Sequence, residues 1–140
     1  MIAGLGMDLI EVERVAAKIS KEAGFRELVF SPKEIGYCES KADKFVHYAA
    51  RFAAKEAFFK ALGKGWAEGT SFNEVELTHD GAGKPGLSLL GATAQGAASV
   101  LAESAAVAGA LAAGGIMKIS ISISHLKTIA SAIVIIEISS

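Results

Sequence analysis

Two short runs near the end of the chain constrain the fold most. Ile119, Ile121 and Ile123 alternate with Ser120, Ser122 and Ser124, the period of two of a pleated strand. A second run rich in branched residues, Ile129 to Ile138, follows after only His125, Leu126, Lys127 and Thr128. That connection suits an antiparallel hairpin and is too short for a parallel crossover. Whatever else the chain does, it must build helices and further strands around this pair.

The remaining elements read as follows. Met1 to Leu9 is a short buried strand ending near Asp8, and Ile10 to Ala23 is a helix whose Val12, Val15, Ala16 and Ile19 share one side. Gly24 stops it. Ser31-Pro32-Lys33-Glu34 is a helix start, with a serine cap, proline in the first turn and glutamate three residues after the cap. The helix it opens runs through Tyr37 and Cys38. His47 to Leu62, rich in alanine and straight-chain charges, is the clearest helix. Phe72 to His79 alternates as a strand, with Val75, Leu77 and His79 opposite Glu74, Glu76 and Thr78. A turn over 80–85 joins it to Leu87 and Leu89 as a hairpin. Residues 92–113 form an alanine-rich helical segment with Gly96 and Gly109 as weak points. Helices beside hairpin-connected strands predict an α+β fold, an antiparallel sheet of hairpins packed with helices. The 140 residues make a single domain, 1–140, with no linker, repeat or charge block.

Composition narrows the function. With 51% hydrophobic and 21% charged residues the chain has ample apolar surface to bury, so disorder is excluded as its main state. Fourteen basic against fifteen acidic residues leave a net charge of -1, without the basic stripe that nucleic-acid binding needs. The single cysteine, Cys38, forms no internal disulfide. The first residues lack the basic region of a signal peptide. The longest uncharged stretch, 85–102, is too rich in Gly, Ser, Thr and Gln to span a bilayer. A cytoplasmic protein without membrane or nucleic-acid partners is expected, and the high apolar and alanine content hints at burial against other subunits.

Few residues are suited to chemistry. Asp8 follows a buried strand and Glu56 lies mid-helix. Alone, each is an ordinary solvated carboxylate, and Glu56 four residues before Lys60 is an ordinary helix-surface pair. Converging, the two suit Mg²⁺, which takes its other ligands from water and substrate phosphates. Arg51, Lys55, Lys60 and Lys64 on and just after this helix are either stems covering apolar surface or a phosphate site beside that metal. Glycines at 63, 65 and 69 would admit an anion to the backbone, although Gly63-Lys64-Gly65 does not match the phosphate-binding loop pattern. His47 and His79 have no metal-ligand spacing with each other or with Cys38, so a zinc site is not expected. His125 ends an alternating strand and could donate to a phosphate.

Four segments together resemble one family. Gly4-Leu5-Gly6-Met7-Asp8 with Arg14 is similar to its opening motif, and Arg51-Phe52-Ala53-Ala54-Lys55-Glu56-Ala57-Phe58-Phe59-Lys60-Ala61 to its signature helix. Gly83-Lys84-Pro85 resembles its hairpin turn, and Ser122-Ile123-Ser124-His125 with Ala130 and Ala132 its last motif. The family is the short bacterial 4′-phosphopantetheinyl transferases, the holo-(acyl-carrier-protein) synthases. The resemblance implies transfer of phosphopantetheine from coenzyme A to a serine of apo-acyl carrier protein, releasing adenosine 3′,5′-bisphosphate, in fatty acid biosynthesis. By position, Asp8 and Glu56 would hold Mg²⁺ and Lys60 would steady the phosphates. Arg51, Gly63, Lys84, Pro85 and His125 would contact coenzyme A. The serine proton goes either to Glu56 or to a water on the metal. Arg14, Lys18, Lys21 and Arg26 would dock the acidic carrier protein, a surface otherwise read as a solvated face among Glu11, Glu13 and Glu22. The resemblance also implies a homotrimer with active sites between subunits. The chain departs from the family at Asp80-Gly81-Ala82-Gly83, where asparagine is common before the turn, at Gly63-Lys64-Gly65-Trp66, and in the length of 92–113. The competing readings are a non-catalytic module binding coenzyme A or another nucleotide, and a purely structural trimer.

Overall fold

The computed structural model describes residues 1–63 and 69–140. Strand β1 (Ile2–Glu11) is followed by helices α1 (Val12–Lys21), α2 (Phe25–Val29), α3 (Pro32–Glu39) and α4 (Lys44–Leu62). A single 3₁₀ turn, Phe72–Glu74, leads into the hairpin of β2 (Val75–His79) and β3 (Pro85–Leu89). Helices α5 (Thr93–Leu101) and α6 (Ala105–Ala112) precede β4 (Ile116–His125) and β5 (Ile129–Ser139). The α+β expectation holds, with two antiparallel sheets. β5 lies between β1 and β4 in one, and β2 pairs with β3 in the other.

Helix α4 is the core. Thirteen of its nineteen residues are buried, which is why it is alanine-rich: small side chains let strands approach its axis closely. The sheet face against it carries Ala130, Ala132, Val134, Ile136 and Ile138 from β5, all buried, with Ile119, Ile121 and Ile123 of β4 packed beside them. β1 comes closest. A Cβ on Gly4 would overlap the Ala61 carbonyl oxygen, and one on Gly6 that of Ala57. Only glycine fits at these two positions, and their place in the opening motif is thereby explained.

Pairing of Asp8 with Ala132 and of Met7 with Ile133 sets the phase of β1. Gly4, Gly6, Asp8 and Ile10 face α4, whereas Leu5, Met7 and Leu9 face away. On that outer face Leu5 is 66%, Met7 55% and Leu9 63% exposed, beside exposed Ile133.

Several boundaries differ from expectation, each for a tertiary reason. β1 continues through Ile10 and Glu11 because Ala130 and Ile129 are there to pair with them. α1 therefore starts at Val12, whose amide donates to Thr128 O at 2.9 Å. α2 was not foreseen; it begins after left-handed Gly24 and buries Val29, with Phe30 just beyond it. The expected capping box is present, Ser31 accepting from the Glu34 amide while Glu34 accepts from the Ser31 amide. α4 starts three residues early, at Lys44. The strand expected from Phe72 begins at Val75, and Glu76, on the face opposite Val75 and Leu77, is buried as they are and accepts from Ser31 Oγ at 2.6 Å. The 92–113 segment is two helices that break near Ser104. Gly96 and Gly109 lie inside helices, and Gly96 is a packing contact where a Cβ would come 2.8 Å from Gly69 O. Lys64, Gly65 and Trp66 of the expected anion loop lie outside the described residues.

Candidate active site

The close passage of β1 over α4 brings Asp8 to the side of the helix that carries Glu56 and Lys60. Lys60 Nζ donates to Asp8 Oδ1 and to Met7 O, both at 3.0 Å. Asp8 Oδ2 is buried and has no hydrogen-bond partner among the described residues. Glu56 is half-buried, and its carboxyl is pushed above the usual carboxylate range, by burial first and then by the charge of Asp8, with Lys60 opposing. One orphaned carboxylate oxygen beside a second, electrostatically strained carboxylate is a donor set that fits a divalent cation. Among the described residues no cluster of three or more His, Cys, Asp or Glu could hold a metal. Two protein carboxylates with ligands from elsewhere are thus the arrangement available.

A second constellation lies on the β4 side of α4. Arg51, one turn after His47, is 3% exposed. Its Cζ sits 4.3 Å from the Tyr37 ring centroid, and Nη1 donates to His47 O at 3.4 Å. Among the described residues Nε has no partner and no carboxylate pairs with the guanidinium. A buried cation without a counter-charge is costly, and a guanidinium so placed is chemically suited to an anion. The cleft here holds about 240 Å³ and is lined by Arg51 with Tyr37, His47, His79, Pro85 and His125, among others.

The predicted residues therefore fall into two groups. Asp8, Glu56 and Lys60 meet, with Gly63 one turn further along as the left-handed cap of α4. Arg51, Pro85 and His125 meet in the cleft. Gly83 and Pro85 line it on either side of Lys84, which is not part of the lining. Lys55, read among the basic set of a phosphate site, belongs to neither. It is fully buried, 2.7 Å from Glu34 Oε1, and also donates to Phe72 O and Val75 O. Glu34 Oε2 in turn accepts from the Leu77 amide. This hub fixes α3 and β2 on α4, and so sets the cleft walls that carry Tyr37 and His79.

Of the basic residues on the first helices, Arg14 and Lys21 are exposed and form no ion pair among the described residues, whereas Lys18 is 3.7 Å from Glu22. Arg26 is held by Glu27 at 2.7 Å and Glu39 at 3.6 Å. Tyr37, His47 and His79 were missed as site residues. The one-turn spacing of His47 and Arg51 was the available signal for His47, and His79 immediately before the glycine-rich turn was the signal for the other wall.

The chain is similar to known proteins over most of its length. Residues 4–112 match the model of the 4′-phosphopantetheinyl transferase superfamily, and the chain belongs to that family. Within it the similarity runs to the holo-(acyl-carrier-protein) synthases. The chain is 55% identical over 85 residues to the one from Cytophaga hutchinsonii, covering 61% of this chain and 67% of that one. It is 39% identical over 138 residues to the one from Solibacter usitatus, covering 98% and 99%. A holo-(acyl-carrier-protein) synthase crystal structure from Bacillus anthracis, in complex with coenzyme A (3′,5′-ADP), superposes with TM-score 0.72 at 30% identity over 100% and 99% of the two chains.

Proposed function

We propose that this chain transfers 4′-phosphopantetheine from coenzyme A to a serine hydroxyl of apo-acyl carrier protein, with Asp8, Glu56 and Lys60 at the reacting phosphates. The serine oxygen forms a bond to the pantetheine-side phosphorus while the pyrophosphate bridge breaks, giving holo-carrier protein and adenosine 3′,5′-bisphosphate. The convergence of the three side chains, with Asp8 Oδ2 left unpartnered, carries the reading. A module that merely held a nucleotide would have no use for a strained carboxylate pair.

Asp8 and Glu56 would hold Mg²⁺, which when bound neutralises charge gathering on the phosphate oxygens. The chain's own residues do the rest. Lys60, anchored at Asp8 and Met7, places an ammonium beside the same phosphates, where positioning and charge stabilisation account for most of phosphoryl-transfer catalysis. Glu56 is assigned first to the metal and second to the serine proton. Arg51 and His125 receive the nucleotide end in the cleft, with Pro85 shaping its wall.

The exposed apolar face of Leu5, Met7, Leu9 and Ile133 supports assembly as a homotrimer, since an apolar sheet face of this kind marks an interface. The separation of the carboxylate pair from the basic cleft on two sides of α4 supports a site completed between subunits. Exposed Arg14 and Lys21 suit docking of an acidic carrier protein, which raises on-rate and selectivity. Among the described residues no helix is long and apolar enough to cross a membrane, and we read the enzyme as cytoplasmic, serving fatty acid biosynthesis.

Intact mass spectrometry of apo-acyl carrier protein incubated with the chain, coenzyme A and Mg²⁺ tests the proposal. A phosphopantetheine mass gain is expected, lost with EDTA and in Asp8→Ala. A gain that persists in both removes the assigned role of the pair; no gain, despite measurable coenzyme A binding, removes the transferase reading.

A further inference from the structure

We propose that His47 and His79 join Arg51 and His125 as binding residues for a phosphate monoester of the substrate nucleotide, and that binding this group draws protons into the cleft. The inference deepens the coenzyme A reading above and rests on it.

The chain has three histidines, and all three line the one cleft of about 240 Å³. They come from three separate elements: His47 from α4, His79 from the end of β2 and His125 from the end of β4. Chance scatter does not bring every imidazole of a chain to one wall. Tyr37 organises them. Its ring stacks on His79 at 5.8 Å between centroids and meets His47 edge-on at 5.6 Å, and His47 lies 6.3 Å from His125. Below the ring is the buried Arg51, whose Nε has no partner and whose guanidinium has no carboxylate among the described residues.

The surrounding charges leave a net demand for an anion. His47 Nε2 is 3.1 Å from Asp43 Oδ1, a largely exposed carboxylate on the residue that precedes α4. Asp80 faces His79 from the turn, but its Oδ1 is engaged by the Ala82 and Lys84 amides at 2.9 Å each. On the α3 side, Glu34 is committed to Lys55 and to the backbone, while Lys33 adds a further cation at the adjoining wall. Burial lowers both His47 and His79 below the ordinary histidine value, with repulsion from Arg51 adding to it; His47 is lowered further by His125, and His79 by His47. Asp43 and Asp80 pull the other way. Burial and Arg51 therefore disfavour the charged forms of His47 and His79. An incoming dianion cancels the Arg51 repulsion and favours the imidazolium, so protons enter with it.

This pattern selects a chemical group. Coenzyme A carries a pyrophosphate and one phosphate monoester. The pyrophosphate is needed at Asp8, Glu56 and Lys60, on the other side of α4. A monoester has a second pKa near 6 and is dianionic at neutral pH, so it gains most from two imidazoles that can each add a proton.

Isothermal titration calorimetry of the wild-type protein with coenzyme A and with dephospho-coenzyme A, at pH 7.5 in buffers of differing ionisation heat, tests this directly. Coenzyme A is expected to bind with net proton uptake and to weaken about tenfold from pH 6.5 to 8; dephospho-coenzyme A is expected to bind with neither effect. The imidazole proton resonances of His47 and His79 should move downfield on adding coenzyme A alone. His47→Gln and His79→Gln should each reduce proton uptake and weaken coenzyme A, leaving dephospho-coenzyme A affinity as it was. Coenzyme A binding without proton uptake and without movement of those resonances overturns the proposal while leaving the coenzyme A reading intact. If neither nucleotide binds, both fall.

Discussion

Replacing Gly6 with alanine should separate chemistry from nucleotide binding. The new Cβ would overlap the Ala57 carbonyl oxygen and lie 2.6 Å from the Ala61 nitrogen. Both are helix backbone atoms that cannot rotate away. Restoring the 3.4 Å of ordinary contact to Ala61 alone requires β1 to retreat by about 0.8 Å, and Asp8, two residues on, travels with it. Overpacking of this kind costs about 1–3 kcal/mol, a fall in Tm on the order of 3–10 °C for a chain of this size. A displacement near 1 Å at a reacting group can cost about 10²-fold in rate. The assay is the kcat/KM for carrier-protein modification by intact mass, beside Tm and the affinity for adenosine 3′,5′-bisphosphate. Activity should drop by about tenfold to a hundredfold, with nucleotide affinity within about threefold, because the cleft lies across α4 from β1. Gly109→Ala is the control: nothing lies within 4 Å of its Cβ, and it should stabilise by about 0.5–1 kcal/mol. Full activity and unchanged Tm in Gly6→Ala would refute the claim that close strand–helix approach positions Asp8.

Lys55→Met leaves the Glu34 carboxylate buried without its cation, and equilibrium urea unfolding should show a loss of about 3–5 kcal/mol; a loss under 1 kcal/mol would mean the hub is not an ion pair in solution. Because His47 and His79 have lowered values in the folded chain, the unfolded chain binds more protons between the two sets of values. Stability of the ligand-free protein should therefore fall as pH drops below the ordinary histidine value and through the folded ones, and denaturation midpoints at pH 7.5 and 5.5 should converge in His47→Gln/His79→Gln. Arg14→Glu should raise KM for carrier protein and spare coenzyme A affinity, since Arg14 is exposed on α1 away from the cleft lining; unchanged carrier-protein kinetics would remove α1 from the docking surface.

What was legible in the sequence was what local pattern or a dense motif carries. The β4–β5 hairpin follows from the Ile/Ser alternation, the α3 start from its capping box, and α4 from its composition. That Asp8, Glu56 and Lys60 come together was expected because their spacing along strand and helix resembles a known set. What escaped depends on partners distant in sequence. Ile10 fits a helix by period, but β5 offers it a ladder. Glu76 alternates with Val75 and Leu77, but Ser31, forty-five positions earlier, bonds it on a face that is buried too. Lys55 looks like one more basic residue on a helix, yet Glu34, twenty-one positions earlier, takes it into the core. His47 and His79 showed no spacing to each other, because it is the ring of Tyr37 that brings them together.

β1 pairs out of step with β5 once, between Ile2 and Gly4, and runs in strict register from there to Glu11. That irregularity divides the strand into a part that tolerates a change of length and a part that does not. Loss of Ala3 can be absorbed where the ladder is already offset. Loss of any one residue from Leu5 to Met7 would rotate everything upstream of the cut, setting Gly4 where a side chain points outward and an apolar side chain where only glycine clears α4. Chain length at the amino terminus is thus free to drift by a residue, while the span from Gly4 to Asp8 works as a fixed ruler whose two ends are a helix contact and a carboxylate.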